Sequence, residues 1–346
     1  MPSLNKTANF DKISGITYLL TCYSGSEYMT EAPLIIKDFL NYIETIKGKS
    51  KNTTKEYFYD LRLFLRFMLR NKGLSKENDI DLIDIVNIDI GLIKTITLSD
   101  LYAYMSFLSR ERDNNASARA RKVASIKSFF NYLTNKAKLL EINPASELES
   151  PKILKRLPKY LNIEESKKLL NSIQGEYKER DFAIVTLFLN CGLRLSELVN
   201  ININRIKNDT LTVIGKGDKE RTIYLNKACI HAINTYMNVR QKDAVIDRNA
   251  LFLSERKKRI SNKTVQYIVK KYITLSGLDP ERYSTHKLRH TAATLMYKHG
   301  KVDIRALQEI LGHESISTTE IYTHVDNQQL KNAVESNPLS DFRKDT

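Results

Sequence analysis

The sequence is poor in the residues that mark several classes of protein. Among 346 residues there are three cysteines, seven prolines, twelve glycines and no tryptophan. Cys22, Cys191 and Cys229 are far apart, and none belongs to a CxxC or Cys/His spacing. This pattern excludes a disulfide scaffold and a structural zinc finger, and it is typical of a reducing compartment. The low content of glycine and proline excludes collagen-like structure.

Long apolar runs are also missing. No stretch approaches the roughly 18 apolar residues that a membrane-spanning helix needs. Residues 16–23 are apolar, but the run is short and contains Thr17 and Thr21, so it does not predict a signal peptide. We therefore expect a cytoplasmic protein that has no membrane partner.

Basic residues, in contrast, are in excess and unevenly placed. There are 55 Lys+Arg against 40 Asp+Glu, which gives a formal net charge of +15. Residues 1–150 hold 21 basic and 18 acidic side chains, and the rest of the chain holds 34 and 22. A basic excess of this kind attracts polyanions such as a nucleic acid backbone or anionic lipid, although a basic surface without a partner would give the same count.

The length suits two domains, and composition suggests where they divide. The first 30 residues are rich in Ser, Thr and Asn and lack a helical period, so either translation begins at Met29 or the segment is a mobile arm. Prolines at 144 and 151 mark a linker. The predicted parts are an N-terminal extension (1–30), a helical domain (31–142), a linker (143–158), a second domain (159–326) and a C-terminal helix or tail (327–346).

Apolar periodicity predicts a mainly α fold with one small β-sheet in the second domain. The stretch SKNTTKE (50–56) offers N-cap residues for a long helix, Ser99 and Asp100 open a second helix, and a third runs from Ala116 to Leu133. Residues 73–96 are interpreted as a connecting segment. Helices at 163–173 and 179–191 precede a β-hairpin, whose alternating strands flank a glycine-rich turn, and mostly helices follow.

The third of these helices is crowded with basic side chains. A basic helix face can lie across a DNA groove, although a solvated face fits the same pattern. The candidate DNA contacts are Arg119, Arg121, Lys122 and Lys127.

Five of the six histidines fall between residues 286 and 324, which raises the question of a metal site. His286 and His290 are four residues apart, a spacing that can place two imidazoles on one helix face. However, Lys287 stands where a zinc protease would carry its glutamate base, and no suitably spaced carboxylate completes a ligand set. We expect no metal and no other cofactor.

A different grouping of residues fits attack on a phosphodiester without a metal. Guanidiniums can bind non-bridging phosphate oxygens, lysine can protonate a leaving alkoxide, and histidine moves protons near neutrality. A tyrosine hydroxyl can act as the nucleophile if a base or neighbouring cations assist its ionisation. The residues that supply this set are Arg194, Lys216, His286, Arg289, His313 and Tyr322.

These residues occur in five motifs that resemble the tyrosine recombinases, also called phage-type integrases, with a spacing close to that of the bacterial Xer proteins. The motifs are CGLRLSEL (191–198), IGKGDKER (214–221), THKLRHT (285–291), LGH (311–313) and IYTHV (321–325). The resemblance implies a C-shaped clamp around duplex DNA, made of a helical core-binding domain and a mixed α/β catalytic domain.

The resemblance also implies a role for each of the six residues. Tyr322 would attack the scissile phosphate and form a 3′-phosphotyrosyl link, while Arg194 and Arg289 hold the non-bridging oxygens. Lys216 would be the general acid for the 5′-oxygen, His286 the proton acceptor for the tyrosine, and His313 a hydrogen-bond donor to the phosphate. Glu197 is a supporting residue that would orient Arg194 or the hairpin lysine. Neither ATP nor Mg²⁺ would be needed.

In such a protein we expect site-specific recombination, carried out by a tetramer on two DNA sites. Xer-type resolution of chromosome dimers at the nucleoid fits the compact size, and an integrase or excisionase of a mobile element is the alternative. A type IB topoisomerase-like enzyme and a non-catalytic DNA-binding regulator are further readings. The sequence leaves open the DNA target, whether the tetramer contains one recombinase or two, and whether an activating partner protein is needed.

Overall fold

A computed structural model describes residues 27–153, 159–215, 219–300, 302–313, 315, 318 and 319. The chain divides into two compact units, Met1–Leu154 and Lys155–Thr346. The first is helical, and the second combines helices with a small antiparallel sheet, which is the fold class expected from the sequence. Within the described ranges no helix has the length and apolar character needed to cross a bilayer.

The N-terminal unit is a set of helices packed around one aromatic-rich core. Ser50, the first residue of the stretch in which an N-cap was expected, caps the longest helix, because its side chain accepts a hydrogen bond from the backbone N–H of Thr53. Phe39, Phe64 and Phe129, from three different helices, are all fully buried. The helices are α1 (Glu27–Thr30), α2 (Leu34–Asn41, continued by a π-helical turn Tyr42–Ile46), α3 (Lys51–Asn71), α4 (Ile90–Lys94), α5 (Leu98–Arg110) and α6 (Ala116–Asn135).

Three details of this unit differ from the sequence-based description. Helix α5 begins after Thr97, which forms a capping box with Asp100, and not at Ser99. The segment 73–96 contains a 3₁₀ turn and α4, and most of its isoleucines are buried in the core between exposed aspartates. The folded unit also extends past both expected limits, since Met29 and Leu148 are buried in the same core. Residues 1–26, which make up most of the predicted N-terminal extension, lie outside the described residues.

The second unit is built around a central buried helix. Its helices are α7 (Ile163–Asn171), α8 (Lys178–Cys191), α9 (Leu195–Val199), α10 (Lys227–Val239), α11 (Asn262–Leu275), α12 (Thr285–Gly300) and α13 (Ile304–Leu311). Helix α8 is buried over most of its surface, including Ile184, Leu187 and Phe188. Helices α10 and α12 pack directly against it. The core therefore fixes the end of α8 relative to α12.

The sheet of this unit has three antiparallel strands in the order β1-β2-β3. They are β1 (Ile206–Lys207), β2 (Thr210–Ile214) and β3 (Glu220–Tyr224). In the hairpin, Thr210 pairs with Tyr224 and Ile214 pairs with Glu220. The expected hairpin is confirmed, and its turn is closed by Gly215, whose N–H donates to the carbonyl of Lys219 at 2.8 Å.

Candidate active site

The site begins where α8 ends. Gly192 ends this helix in the left-handed conformation, with a φ of 59°, and a Cβ atom there would lie 2.9 Å from a methyl carbon of Leu311. Glycine is therefore required both for the turn and for the close approach of α13. The chain then places Arg194 at the first position before α9, where its guanidinium remains partly exposed.

A buried carboxylate holds Arg194 in place. Glu197, whose side chain is 1% exposed, accepts the backbone N–H of Arg194 at 2.7 Å and its Nη1 at 2.8 Å. Burial by itself would raise the pKa of Glu197, but the charges and hydrogen bonds of Arg221 and Arg194 outweigh it and hold the pKa below its usual range. Glu197 is therefore an anion that fixes cationic side chains.

Helix α12 brings a second guanidinium to the same place. Arg289 is buried and donates to the carbonyl of Gly192 at 2.7 Å and to that of Leu311 at 2.6 Å. Its Nη1 lies 3.8 Å from Oε2 of Glu197. Arg194 in turn donates through Nη2 to the carbonyl of Gly312 at 2.6 Å. Both arginines are thus anchored to the last residues of α13 and share one carboxylate.

Two histidines of α12 face each other on the same helix. Nε2 of His286 and Nε2 of His290 are 3.1 Å apart. Desolvation and the positive charges of Arg289, Lys287 and Arg194 lower the pKa of His286. Desolvation together with His286 lowers the pKa of His290 to about 4. Both imidazoles are therefore neutral at pH 7, which suits proton acceptance by His286.

The third histidine follows the end of α13. Gly312 ends that helix in the left-handed conformation, with a φ of 63°, and turns the chain so that Nδ1 of His313 lies 2.9 Å from the hydroxyl of Thr319. Desolvation and then the charges of Arg289 and Arg194 lower the pKa of His313 to about 4. An imidazole so close to two guanidiniums is suited to hydrogen-bond an anion that they also bind.

One further arginine belongs to this cluster, and the sequence analysis gave it no role. Arg221 on β3 donates through Nη2 to Oε2 of Glu197 at 2.8 Å and through Nη1 to the carbonyl of Ile310. The alternation along β3 places the half-buried Arg221 and the buried Ile223 on one face, while Glu220 and Thr222 are exposed on the other. This alternation is a sequence signal that could have assigned Arg221 to the interior.

Three of these side chains, those of Arg194, Arg221 and His313, line an open cavity of about 510 Å³. Its described lining includes Arg194, Arg221, Gly312, His313 and Lys219. A concave, cation-rich surface of this kind matches a phosphate group on a larger polyanion.

Two residues of the predicted catalytic set have no described position, and the others lie together. Lys216 and Tyr322 lie outside the described residues, as does the predicted tail 327–346. His286, Arg289 and His313 are brought to the same region as Arg194 and Glu197. Among the described residues, no three His, Cys, Asp or Glu side chains are grouped so as to hold a metal ion.

The predicted DNA contacts on α6 do not all face solvent. Lys122 is buried, and its ammonium donates to the fully buried carboxylate of Asp60 at 2.8 Å, so its inclusion among the DNA contacts was wrong. Arg121 also contacts Asp60 at 2.8 Å but remains 43% exposed. Arg119 donates to Ser109 and to the carbonyl of Asn114, and Lys127 donates to the carbonyl of Ser146.

Solved structures share this fold. The XerH site-specific recombinase in a post-cleavage complex with difH aligns with a TM-score of 0.65 over 88% of this chain and 95% of that one, at 21% identity. A λ integrase dimer bound to a core site aligns with a TM-score of 0.60 over 82% of this chain and 96% of that one, at 16% identity. At these identities the likeness concerns the fold alone.

Curated sequences give a closer relation. Tyrosine recombinase XerC of Caldanaerobacter subterraneus subsp. tengcongensis is 62% identical over 309 residues, which cover 89% of this chain and 88% of the relative. Tyrosine recombinase XerD of Proteus mirabilis is 33% identical over 304 residues, covering 86% and 90%. Residues 159–329 match the phage integrase family. The chain therefore belongs to the phage integrase family and, within it, to the Xer-type tyrosine recombinases, which are site-specific DNA recombinases.

Proposed function

We propose that this recombinase cleaves and rejoins duplex DNA through Tyr322. The tyrosine oxygen forms a bond to the scissile phosphorus, the bond to the 5′-oxygen breaks, and that oxygen leaves as a hydroxyl after protonation by Lys216. His286 accepts the phenolic proton. Rejoining reverses the step with the 5′-hydroxyl of a partner strand, so the energy of the phosphodiester is retained in the phosphotyrosine and neither ATP nor a metal takes part.

Stabilisation of the transition state falls to the arginines and His313. Arg194 and Arg289 carry fixed positive charges toward the non-bridging oxygens, where negative charge increases as the phosphorus becomes five-coordinate. His313 donates a hydrogen bond to the same phosphate. Because their guanidiniums are held by backbone carbonyls and Glu197 before any substrate arrives, little reorganisation is needed when the phosphate binds.

The single observation that carries this proposal is the shared anchoring of the two arginines. Their sequence positions are 95 residues apart, as the numbers 194 and 289 show, yet both donate to successive carbonyls at the end of α13, those of Gly312 and Leu311. If the two arginines had only a structural role, nothing would require them to lie together beside His313 at an open cavity. A phosphate bound beside Arg194 and His313, which line the cavity, would lie close to the buried guanidinium of Arg289.

A nicked suicide substrate carrying the recombination site tests the nucleophile. In such DNA the leaving strand diffuses away after cleavage, so the covalent complex accumulates and is visible on a denaturing gel. We expect wild type to become attached, Tyr322→Phe to bind the DNA without attachment, and Tyr267→Phe, which removes an exposed hydroxyl on α11, to behave as wild type. An adduct formed by Tyr322→Phe would assign the nucleophile to another residue.

For the assembly, we propose a tetramer on two duplex sites. Relatives named XerC and XerD both align over most of the chain, and the XerH and λ integrase structures hold DNA. Attachment by the purified chain alone would mean that the first cleavage requires neither a second recombinase nor an activating protein. Mass photometry of the trapped complex then counts the protomers on each pair of sites.

The biological role that fits best is resolution of chromosome dimers in the nucleoid, as the high identity to a XerC protein supports. Two circular chromosomes joined into a dimer by a crossover would be separated by one recombination event between identical sites. We expect cells lacking the protein to form filaments with unsegregated nucleoids, and a recombination-deficient background, which makes no dimers, to suppress that defect. Loss of excision of a mobile element, with normal segregation, would favour the integrase alternative.

A further inference from the structure

Three guanidiniums meet at one buried carboxylate in this protein. Besides Arg194 and Arg289, Glu197 contacts Arg221, which is bonded to Oε2 at 2.8 Å and is only 13% exposed. Arg289 is farther away, 3.8 Å from the same oxygen. Arg221 therefore occupies the hydrogen-bonding position at Oε2 of Glu197. Without Arg221, that oxygen would attract the guanidinium of Arg289.

The charges show why this occupancy matters. Glu197 is ionised and carries one negative charge, while the three arginines carry three positive charges. With Arg221 in place, the carboxylate is neutralised without Arg289, which keeps its hydrogen bonds to the carbonyls of Gly192 and Leu311. Without Arg221, the strongest attraction on the Arg289 guanidinium would come from the carboxylate, because Coulomb forces are weakly screened in a buried site.

Arg221 also connects two elements that form the rim of the cavity. It lies on β3, beside the hairpin turn, and it donates to the carbonyl of Ile310 near the end of α13. Its side chain fits against Gly312, where a Cβ atom would lie 2.8 Å from Cδ and 3.0 Å from Nε. This side chain thus links β3 to the end of α13 and to the Gly312–His313 turn.

We propose that Arg221 is a positioning residue for strand cleavage: it satisfies Glu197 and joins β3 to the end of α13, so that Arg194 and Arg289 remain directed at the scissile phosphate. In this proposal Arg221 acts through Glu197 and the carbonyl of Ile310, which its Nη2 and Nη1 contact, and not through the phosphate itself. This inference rests on the proposed function, and it adds a third arginine to the two whose roles were assigned from the motifs.

The test is single-turnover attachment to the nicked substrate at saturating protein, measured beside DNA affinity. Arg221→Met removes the charge and keeps the length of the side chain. We expect attachment to slow by about 30-fold, while the Kd for DNA changes by less than about 3-fold, because an interaction realised mainly in the transition state is lost. Arg221→Lys restores a positive charge near Glu197, and we expect it to recover most of the rate.

A double variant separates positioning from a merely structural role. Glu197→Gln alone should slow attachment by about 10-fold, because the hydrogen bonds that hold Arg194 weaken. In the Arg221→Met background the same substitution should cause no further loss, because it removes the negative charge that would draw Arg289 away from the phosphate. Losses that multiply in the double variant would overturn the proposal. An Arg221→Lys variant as slow as Arg221→Met would also overturn it, and the Lys variant decides the matter if the Met variant melts below the assay temperature.

Arg205→Met is the matched control. Arg205 also pairs with a glutamate of the hairpin, Glu220 at 2.8 Å, but this pair is exposed, and Arg205 is not among the described residues that line the cavity. We expect its attachment rate and DNA affinity to match those of wild type. Absence of the adduct from wild type itself would overturn the proposed function and the role of Arg221 together, whereas slow variants beside an active wild type bear on Arg221 alone.

Discussion

Gly312 and Arg221 are packed so closely that a side chain on the glycine would displace the arginine. A Cβ atom on Gly312 would lie 2.8 Å from Cδ of Arg221, and the glycine has a φ of 63°. We expect Gly312→Ala to lower the free energy of unfolding by about 2 kcal/mol, from left-handed strain together with the steric conflict. Attachment to the nicked substrate should also slow. Urea denaturation and the suicide assay measure the two effects.

A second glycine separates strain from the steric conflict. Gly277 also has a positive φ, 71°, but the nearest atom to a Cβ there is Nζ of Lys168 at 3.4 Å, the mobile end of a flexible side chain. We expect Gly277→Ala to cost about 1 kcal/mol and to leave attachment unchanged. If both alanine variants attach at the wild-type rate, the packing of Gly312 on Arg221 does not matter for cleavage.

The buried pair between Lys122 and Asp60 predicts a loss of stability and not of DNA recognition. Lys122→Met leaves the carboxylate of Asp60 without the ammonium that lies 2.8 Å away, in a fully buried position. Breaking a buried pair from one side costs about 3–5 kcal/mol, and the remaining contact with Arg121 places the expected loss at the lower end of that range. Chemical denaturation of the variant measures it.

Lys127→Met on the same helix is the comparison. Its ammonium makes one exposed bond, to the carbonyl of Ser146 at 3.3 Å, so we expect stability within about 0.5 kcal/mol of wild type. If Lys127 contacts a phosphate, the slope of log K against log salt should fall by about 1 in this variant and stay unchanged in Lys122→Met. A normal stability with a reduced salt slope in Lys122→Met would return that lysine to the DNA-contact set.

Some features of the fold and of the site could be predicted from short stretches of the sequence or from the order of its motifs. The start of α3 at Ser50 and the hairpin 210–224 depend on contacts within a few residues, and both could be predicted from spacing and turn chemistry. The motif order also predicted that Arg194 and Arg289 belong to one site. For the helix start and the hairpin the deciding pattern lies within one short stretch of sequence, whereas the two arginines were grouped by the order of motifs along the chain.

The features that could not be predicted depend on distant partners. Lys122 is adjacent to exposed basic residues in sequence, and its burial is decided by Asp60, which is on another helix. The role of Arg221 depends on the approach of α13 to the hairpin, which puts the carbonyl of Ile310 within reach. Neither partner has a periodicity or spacing that relates it to the other, so only the tertiary structure reveals these pairs.

Deletion of residues 328–346 tests the predicted C-terminal segment. Resemblance to the family implies that it packs against a neighbouring protomer and couples active sites within the tetramer. We expect the truncated chain to bind a single site with nearly wild-type affinity and to form fewer paired-site complexes. Band-shift assays with one and two sites measure both quantities. Recombination and pairing equal to those of the full chain would remove this role.

The lowered pKa values of the histidines predict a loss of stability in mild acid. The pKa of His290 is lowered to about 4 by desolvation and His286, and that of His313 to about 4 by desolvation and Arg289, whereas the pKa of an imidazole in the unfolded chain is near its ordinary value of 6.5. Between these values the unfolded chain binds more protons. The free energy of unfolding is therefore fully retained above about pH 6.5 and decreases as the pH falls toward 4.

Urea unfolding at pH 7 and pH 5 measures this effect. We expect a decrease on the order of 1–2 kcal/mol for each of His290 and His313, after allowance for their partial exposure. The lowered pKa of Glu197 also makes the protein less stable in acid, but only once the pH falls below the range in which carboxyl groups usually titrate. Glu197 therefore does not contribute to the difference at pH 5. His290→Gln should reduce the difference between the two pH values, and His231→Gln, at an exposed position on α10, should not. An equal pH dependence in wild type and His290→Gln would show that this imidazole is not held neutral by the fold.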